Sequence, residues 1–162
     1  MESLTKTFQI SWNDIDANRH VANTAYAKMM IDTRMSFLTK IGWGHKRMIV
    51  ENLGPVILSE SFYYLKEIMP DEEITVSLEL LGQSDNYKFL QFSHPVFNQE
   101  GELSVYGTLI FAWLDLKTRK LIEPPIELKK LIMEMPKSEK YADIAKEDLR
   151  NLHTVPYGLR HD

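Results

Sequence analysis

An α+β fold, in which one curved antiparallel β-sheet is wrapped around a long central helix, is what this sequence predicts. Three observations carry it. Residues 23–40 repeat apolar side chains three and four apart, the period of a helix. From residue 55 the signal changes to about five strands separated by short turns, an order that favours antiparallel pairing. The helix is apolar on nearly every side, which suits enclosure by other elements, and helices set to one side of such a sheet make the class α+β.

The elements follow in chain order. Phe8, Ile10 and Trp12 alternate with Thr7, Gln9 and Ser11, so residues 5–12 are expected as a half-buried strand. The long helix should begin at Asn23 or Thr24, either of which can cap it by accepting a bond from a backbone N–H, and end near Lys40. Ala25, Tyr26, Met29, Met30, Thr33, Phe37 and Leu38 share one broad face, whereas Ile31 and Met35 lie off it. Residues 41–54, with Gly42, Gly44 and the pair Lys46–Arg47, read as a mixed connection. Strands are expected over 56–68, 73–81, 87–96 and 102–115. Within the second of these, Ile74, Val76, Leu78 and Leu80 oppose Thr75, Ser77 and Glu79. Turns fall at 82–86 and 98–101, and residues 115–120 carry a last hairpin signal before a short strand ending at Pro124-Pro125. Residues 126–135 read as a short amphipathic helix. A single domain over 1–136 is expected, followed by a charged, sparsely apolar tail over 137–162 that is mobile or contacts a partner.

Composition narrows the function classes. At 162 residues the chain is long enough for one domain with a real core. There is no cysteine, which excludes disulfides, thiol catalysis and cysteine-ligated zinc. A net charge of −4 argues against a nucleic-acid partner, which needs a concentrated basic face. No apolar run is long enough for a membrane span, and no basic-then-apolar leader opens the chain, so a cytoplasmic setting is expected.

The chemistry concentrates between the first strand and the helix. Asn13, Asp14, Asp16, Asn18, Arg19 and His20 crowd this connection without a glycine or proline to mark a plain turn. Such residues either cap and tie the helix or act on a ligand. Asp14 fits a turn bond to backbone and Asn23 a helix cap. Asp16, just ahead of the helix, is the candidate carboxylate. The helix start offers free N–H groups and the positive end of its dipole to a developing negative charge.

The pattern Trp12-x-Asp14-x-Asp16-x-Asn18-x-His20-Val21-x-Asn23-x-x-Tyr26 closely resembles the signature of hotdog-fold thioesterases of the 4-hydroxybenzoyl-CoA thioesterase type. Its sub-pattern Asp-x-Asn-x-His-Val-x-Asn is similar to that of acyl-ACP thioesterases. The strand order, the apolar helix and the ending Leu114-Asp115-x-x-Thr118-x-Lys120…Pro124 extend the resemblance over about residues 5–125. Arg19 stands where many relatives of the hydroxybenzoyl type carry glycine, and Ile31 replaces an acid common on the helix.

The resemblance implies a hydrolase of acyl-CoA or acyl-ACP thioesters, working without metal or cofactor as a homodimer or homotetramer. Asp16 corresponds to the catalytic carboxylate, as general base toward water or as direct nucleophile. Backbone amides around Ala22, Asn23 and Thr24 would hold the thioester oxygen. Asn18 and His20 match site residues of the acyl-ACP enzymes: His20 would orient Asp16, relay a proton or assist the leaving thiol, and Asn18 would hold either group or the water. Tyr26 belongs to the substrate side of the site, and Arg19 would narrow or contact the pantetheine arm. Glu60, between Ser59 and Ser61 in an apolar strand, is the candidate second acid. The alternatives are a hotdog dehydratase of 3-hydroxyacyl thioesters and a non-catalytic acyl-thioester binder.

Overall fold

The computed structural model describes residues 4–151. Its elements are β1 (Leu4–Gln9), α1 (Asn23–Lys40), α2 (His45–Val50), β2 (Leu53–Tyr64), β3 (Glu73–Gln83), β4 (Phe89–Phe97), β5 (Leu103–Asp115), α3 (Ile126–Met133), β6 (Lys137–Asp143) and α4 (Lys146–Asn151). The strands form one sheet in the order β1-β3-β4-β5-β2, with every neighbour on that path antiparallel. β1 covers the first half of β3, from Glu73 to Leu78, and β6 runs parallel to the second half at Leu80, Gly82 and Gln83.

Alternation places the core as the sequence predicts. Ile74, Val76, Leu78 and Leu80 are all at most 1% exposed and turn toward α1, which buries Ala25, Tyr26, Met29, Met30, Thr33 and Phe37 against the sheet. Two apolar clusters result. One surrounds Trp43, Trp113 and Leu128, and the other joins Val21, Tyr26 and Met30 to Ile74 and Val96. Among the described residues no helix is long and apolar enough to cross a membrane.

Several local expectations are corrected. β1 ends at Gln9, because Ser11 and Asp14 form a capping box that bends residues 12–14 into a 3-10 turn; Trp12 leaves the core side and is 82% exposed. The cap of α1 is Ala22, without a side-chain bond, and Asn23 instead accepts from the adjacent Thr24 N–H at 3.0 Å. Enclosure of α1 is one-sided within the chain, since Ile31 is 47% exposed. Residues 41–54 contain α2, too short to show a period. β2 starts at Leu53 and stops at Tyr64, short of the expected residue 68. β4 starts at Phe89 and extends to Phe97, and β5 starts at Leu103. The strand expected before Pro124 is reduced to an isolated bridge between Leu114 and Leu121. Lys137–Asp143, expected as part of a tail, is a strand, and residues 152–162 of that tail lie outside the described residues.

Proline in the central strand β4 has a structural counterpart. The register set by Val76↔Val96 and Glu79↔Ser93 puts Pro95 opposite Ser77, where it has no N–H to give. The Nδ1 of His94, a fully buried side chain, lies 2.9 Å from the Ser77 carbonyl and donates in its place. That tautomer leaves Nε2 to accept from Arg34 at 3.0 Å.

Candidate active site

The loop before α1 is folded by its own polar residues. Ile15 and Val21 form a bridge, Asp16 N–H donates to the His20 carbonyl, and Arg19 N–H donates to the Asp16 carbonyl. The turn needs a left-handed residue at position 19, and Arg19 adopts φ 69°. Glycine is suited to that conformation, which accounts for its place in the related motif. Asp16 Oδ1 accepts from the backbone N–H of Asn18 at 2.8 Å and of His20 at 3.3 Å. Among the described residues Asp16 Oδ2 has no partner, so one oxygen ties the loop and the other is available.

Asp16, His20, Val21 and Tyr26 line an open cleft of about 340 Å³ at the N-terminal end of α1, together with Tyr64 at the end of β2 and residues 65–67 after it. Tyr26 is only 3% exposed, yet its hydroxyl makes no hydrogen bond to the described residues. Burial, then the neighbouring Tyr64, Glu72 and Asp16, push its hydroxyl up to about 12, so it stays protonated and can donate. The amides near the helix start are mostly engaged. Val21 N–H donates to Ile68, Ala22 N–H to Asp14, Thr24 N–H to the Asn23 side chain and Ala25 N–H to Ala22. The Asn23 N–H, first in the helix, has no partner among the described residues. The three expected amides therefore reduce to one open donor.

The remaining candidates divide. The His20 ring does not meet the Asp16 carboxylate; its Nε2 lies 3.1 Å from Glu67 Oε2, an acid that sequence reasoning missed. Asn18 and Arg19 are exposed turn residues, and neither side chain bonds to another described residue. Glu60 lines a different cleft of about 250 Å³, walled by Ile31, Met35, Phe92 and Phe111, where it faces Arg34 at 3.7 Å. Within one chain it does not join Asp16. Glu72 is a second acid missed by the sequence reading: its Oε1 accepts from Met69 N–H at 3.0 Å, and its buried Oε2 has no partner among the described residues. No sequence signal marks Glu67, because its partner His20 comes from another part of the chain. Among the described residues no group of histidines and acids is arranged to hold a metal ion.

An acid with one unengaged oxygen, a protonated buried tyrosine and an open helix-terminal amide can together bind and polarise a carbonyl. Residues 10–132 match a family model, that of the thioesterase-like superfamily. No curated protein sequence matches the chain. Among solved structures, a Staphylococcus aureus protein in complex with CoA is similar at TM-score 0.75 and 20% identity, over 91% of this chain and 92% of that one. A 1,4-dihydroxy-2-naphthoyl-CoA thioesterase from Synechocystis is similar at TM-score 0.73 and 14% identity, over 82% and 96%. A DHNA-CoA thioesterase from Staphylococcus aureus is similar at TM-score 0.68 and 18% identity, over 75% and 80%. All three share the fold, and the family match spans most of the sequence: the chain belongs to the thioesterase-like superfamily, whose reaction class is thioester hydrolysis.

Proposed function

We propose that the protein hydrolyses acyl thioesters of CoA or of an acyl carrier protein, with Asp16 as the reacting acid and the Asn23 amide as the principal oxyanion donor. The observation that carries this reading is the pairing of an unengaged Asp16 oxygen with Tyr26 in one cleft at the start of α1. The thioester carbonyl oxygen accepts from the Asn23 N–H, where the helix dipole favours the charge that develops. Asp16 removes a proton from water as its oxygen attacks the carbonyl carbon, or attacks that carbon itself to give an anhydride that water then opens. The carbon–sulfur bond breaks and the thiolate takes up the proton that the water gives up, relayed through the ring of His20, which Glu67 steadies. Tyr26 donates to the carbonyl or to the water. The CoA bound in the Staphylococcus aureus neighbour supports CoA as a carrier.

The assembly in this reading is a homodimer or homotetramer joined along β2. That strand is one edge of the sheet and exposes Ile57, Leu58, Tyr63 and Tyr64, more apolar surface than an unprotected edge normally carries. A joined edge would also bring Glu60 of one copy toward the cleft of another, the arrangement in which it would serve as second acid.

Two substitutions test the chemistry without dismantling the loop. Asp16→Asn keeps an oxygen for the Asn18 and His20 amides and removes the base, so thiol release falls about 10²–10⁴-fold. Asn23→Pro removes the open N–H at the first helical position, where proline is well tolerated, and release falls about 10²–10³-fold. Asn23→Ala, which keeps the amide, stays near wild type. Full thiol release by folded Asp16→Asn would refute the reading. Single-turnover hydrolysis in ¹⁸O-water bears on the two roles of Asp16, because an anhydride opened at its aspartyl carbonyl leaves label in the carboxylate and the general-base route never does.

A further inference from the structure

The inner face of β2 and one face of α1 meet in three rungs. Residues 26, 30 and 34 lie four apart on the helix, and residues 60, 62 and 64 lie two apart on the strand, so each set shares a face. At the first rung Tyr26 and Tyr64 set their rings 6.0 Å apart. At the middle rung Phe62 pairs with Gly107, above which a side-chain carbon would sit 2.7 Å from Met30 Sδ and 3.5 Å from Phe62 Cδ1. At the third rung Glu60 faces Arg34 at 3.7 Å. The first rung lines the Asp16 cleft and the third lines the apolar cleft of about 250 Å³. Phe62 and Met30 stand between them. Phe62 is held by a near-parallel stack on Tyr64, with centroids 6.4 Å apart and planes at 18°, and Met30 is 2% exposed.

We propose that Phe62, backed by Met30, is the stop that limits the acyl group, so that the enzyme takes compact acyl groups and excludes long chains. This rests on the thioesterase reading above. An acyl group leaving the Asp16 cleft along α1 meets the Phe62 ring before the second cleft, whose walls of Ile31, Met35, Phe92 and Phe111 would otherwise accept it. Arg34 lies eight positions after Tyr26, about 12 Å along the helix axis, so loss of the ring opens a substantial apolar run. The Arg34–Glu60 pair then marks its far end, because a methyl terminus gains nothing from a charged pair.

The test is kcat/KM for straight-chain esters from acetyl to palmitoyl, as CoA and carrier-protein thioesters, for wild type, Phe62→Ala and Phe62→Trp, with thermal melting to confirm folding. Wild type favours butyryl over lauroyl esters. Phe62→Ala raises the lauroyl-to-butyryl ratio at least tenfold, and Phe62→Trp shortens the longest ester accepted. A wild type that prefers lauroyl esters overturns the proposal, as does a ratio within twofold of wild type in either folded variant. Absence of thiol release by wild type from every ester overturns the thioesterase reading instead, which keeps the two failures distinct.

Discussion

His94 should make the stability of this protein depend on pH between about 6.5 and 3. Its side chain is fully buried, and burial first, then the Arg34 guanidinium, push it down to about 3 despite the bond to the Ser77 carbonyl. In the unfolded chain it titrates near its ordinary 6.5, so below that pH the unfolded state binds a proton that the folded state refuses. The neutral ring therefore contributes fully above about 6.5, and the contribution is lost as pH falls toward 3. With 1.36 kcal/mol per pH unit, the loss at pH 5 is about 2 kcal/mol. Carboxylates also titrate in acid, so the comparison must remove His94 alone. His94→Gln does this: its amide N–H₂ can donate to Ser77 opposite Pro95, and its oxygen can accept from Arg34. Urea unfolding at pH 7.5 should show the variant less stable by about 1 kcal/mol, the scale of a reshaped buried hydrogen bond. At pH 5 that difference should shrink or reverse by about 2 kcal/mol. A difference unchanged to within ~0.5 kcal/mol between the two pH values would refute a buried, neutral His94.

Tyr26→Phe deletes a hydroxyl that bonds to no described residue, so urea unfolding should show stability within about 0.5 kcal/mol of wild type, while thiol release drops at least tenfold. Gly82→Ala places a side-chain carbon 2.6 Å from the Ala142 carbonyl, and a backbone atom cannot step aside without parting β6 from β3. Hydrogen exchange should then quicken at residues 137–143 with β4 and β5 unaffected. Arg19→Gly relieves a left-handed conformation that costs a side chain about 1–2 kcal/mol. Chemical denaturation should show a net gain below about 1 kcal/mol, because glycine also loosens the unfolded chain.

What the sequence disclosed followed from period. The span of α1 was legible because apolar residues recur at helical spacing over five turns, and β3 because Ile74, Val76, Leu78 and Leu80 alternate without a break. β6 was not legible, since Lys137–Asp143 joins the sheet through its backbone where β1 leaves the edge of β3 open, and its side chains carry no alternation. Trp12 misled because the alternation continues in sequence past Ser11, where the capping box turns the chain. The site residues divide on the same line. Asp16, His20 and Tyr26 share a cleft because local spacing around one helix start brings them there. Glu67 and the Arg34 partner of Glu60 meet their neighbours only through tertiary packing, and no local pattern announces a contact between segments so far apart in the chain.

Asp16 shows why a structural and a catalytic reading of one residue need not compete. A carboxylate has two oxygens, and here Oδ1 is committed to the amides of Asn18 and His20, which fix the side chain's rotation. That commitment also limits how far Oδ2 can turn, which the proposed reading requires if the acid is to meet a bound thioester. The turn at Arg19 and the position of the acid are thus one arrangement. A variant that loosens the loop should lose activity without changing any group that touches substrate. Ala17→Gly supplies that comparison, because it adds backbone freedom between Asp16 and the Asn18 amide that holds it: thiol release should fall severalfold, and unchanged release by the folded variant would refute the coupling.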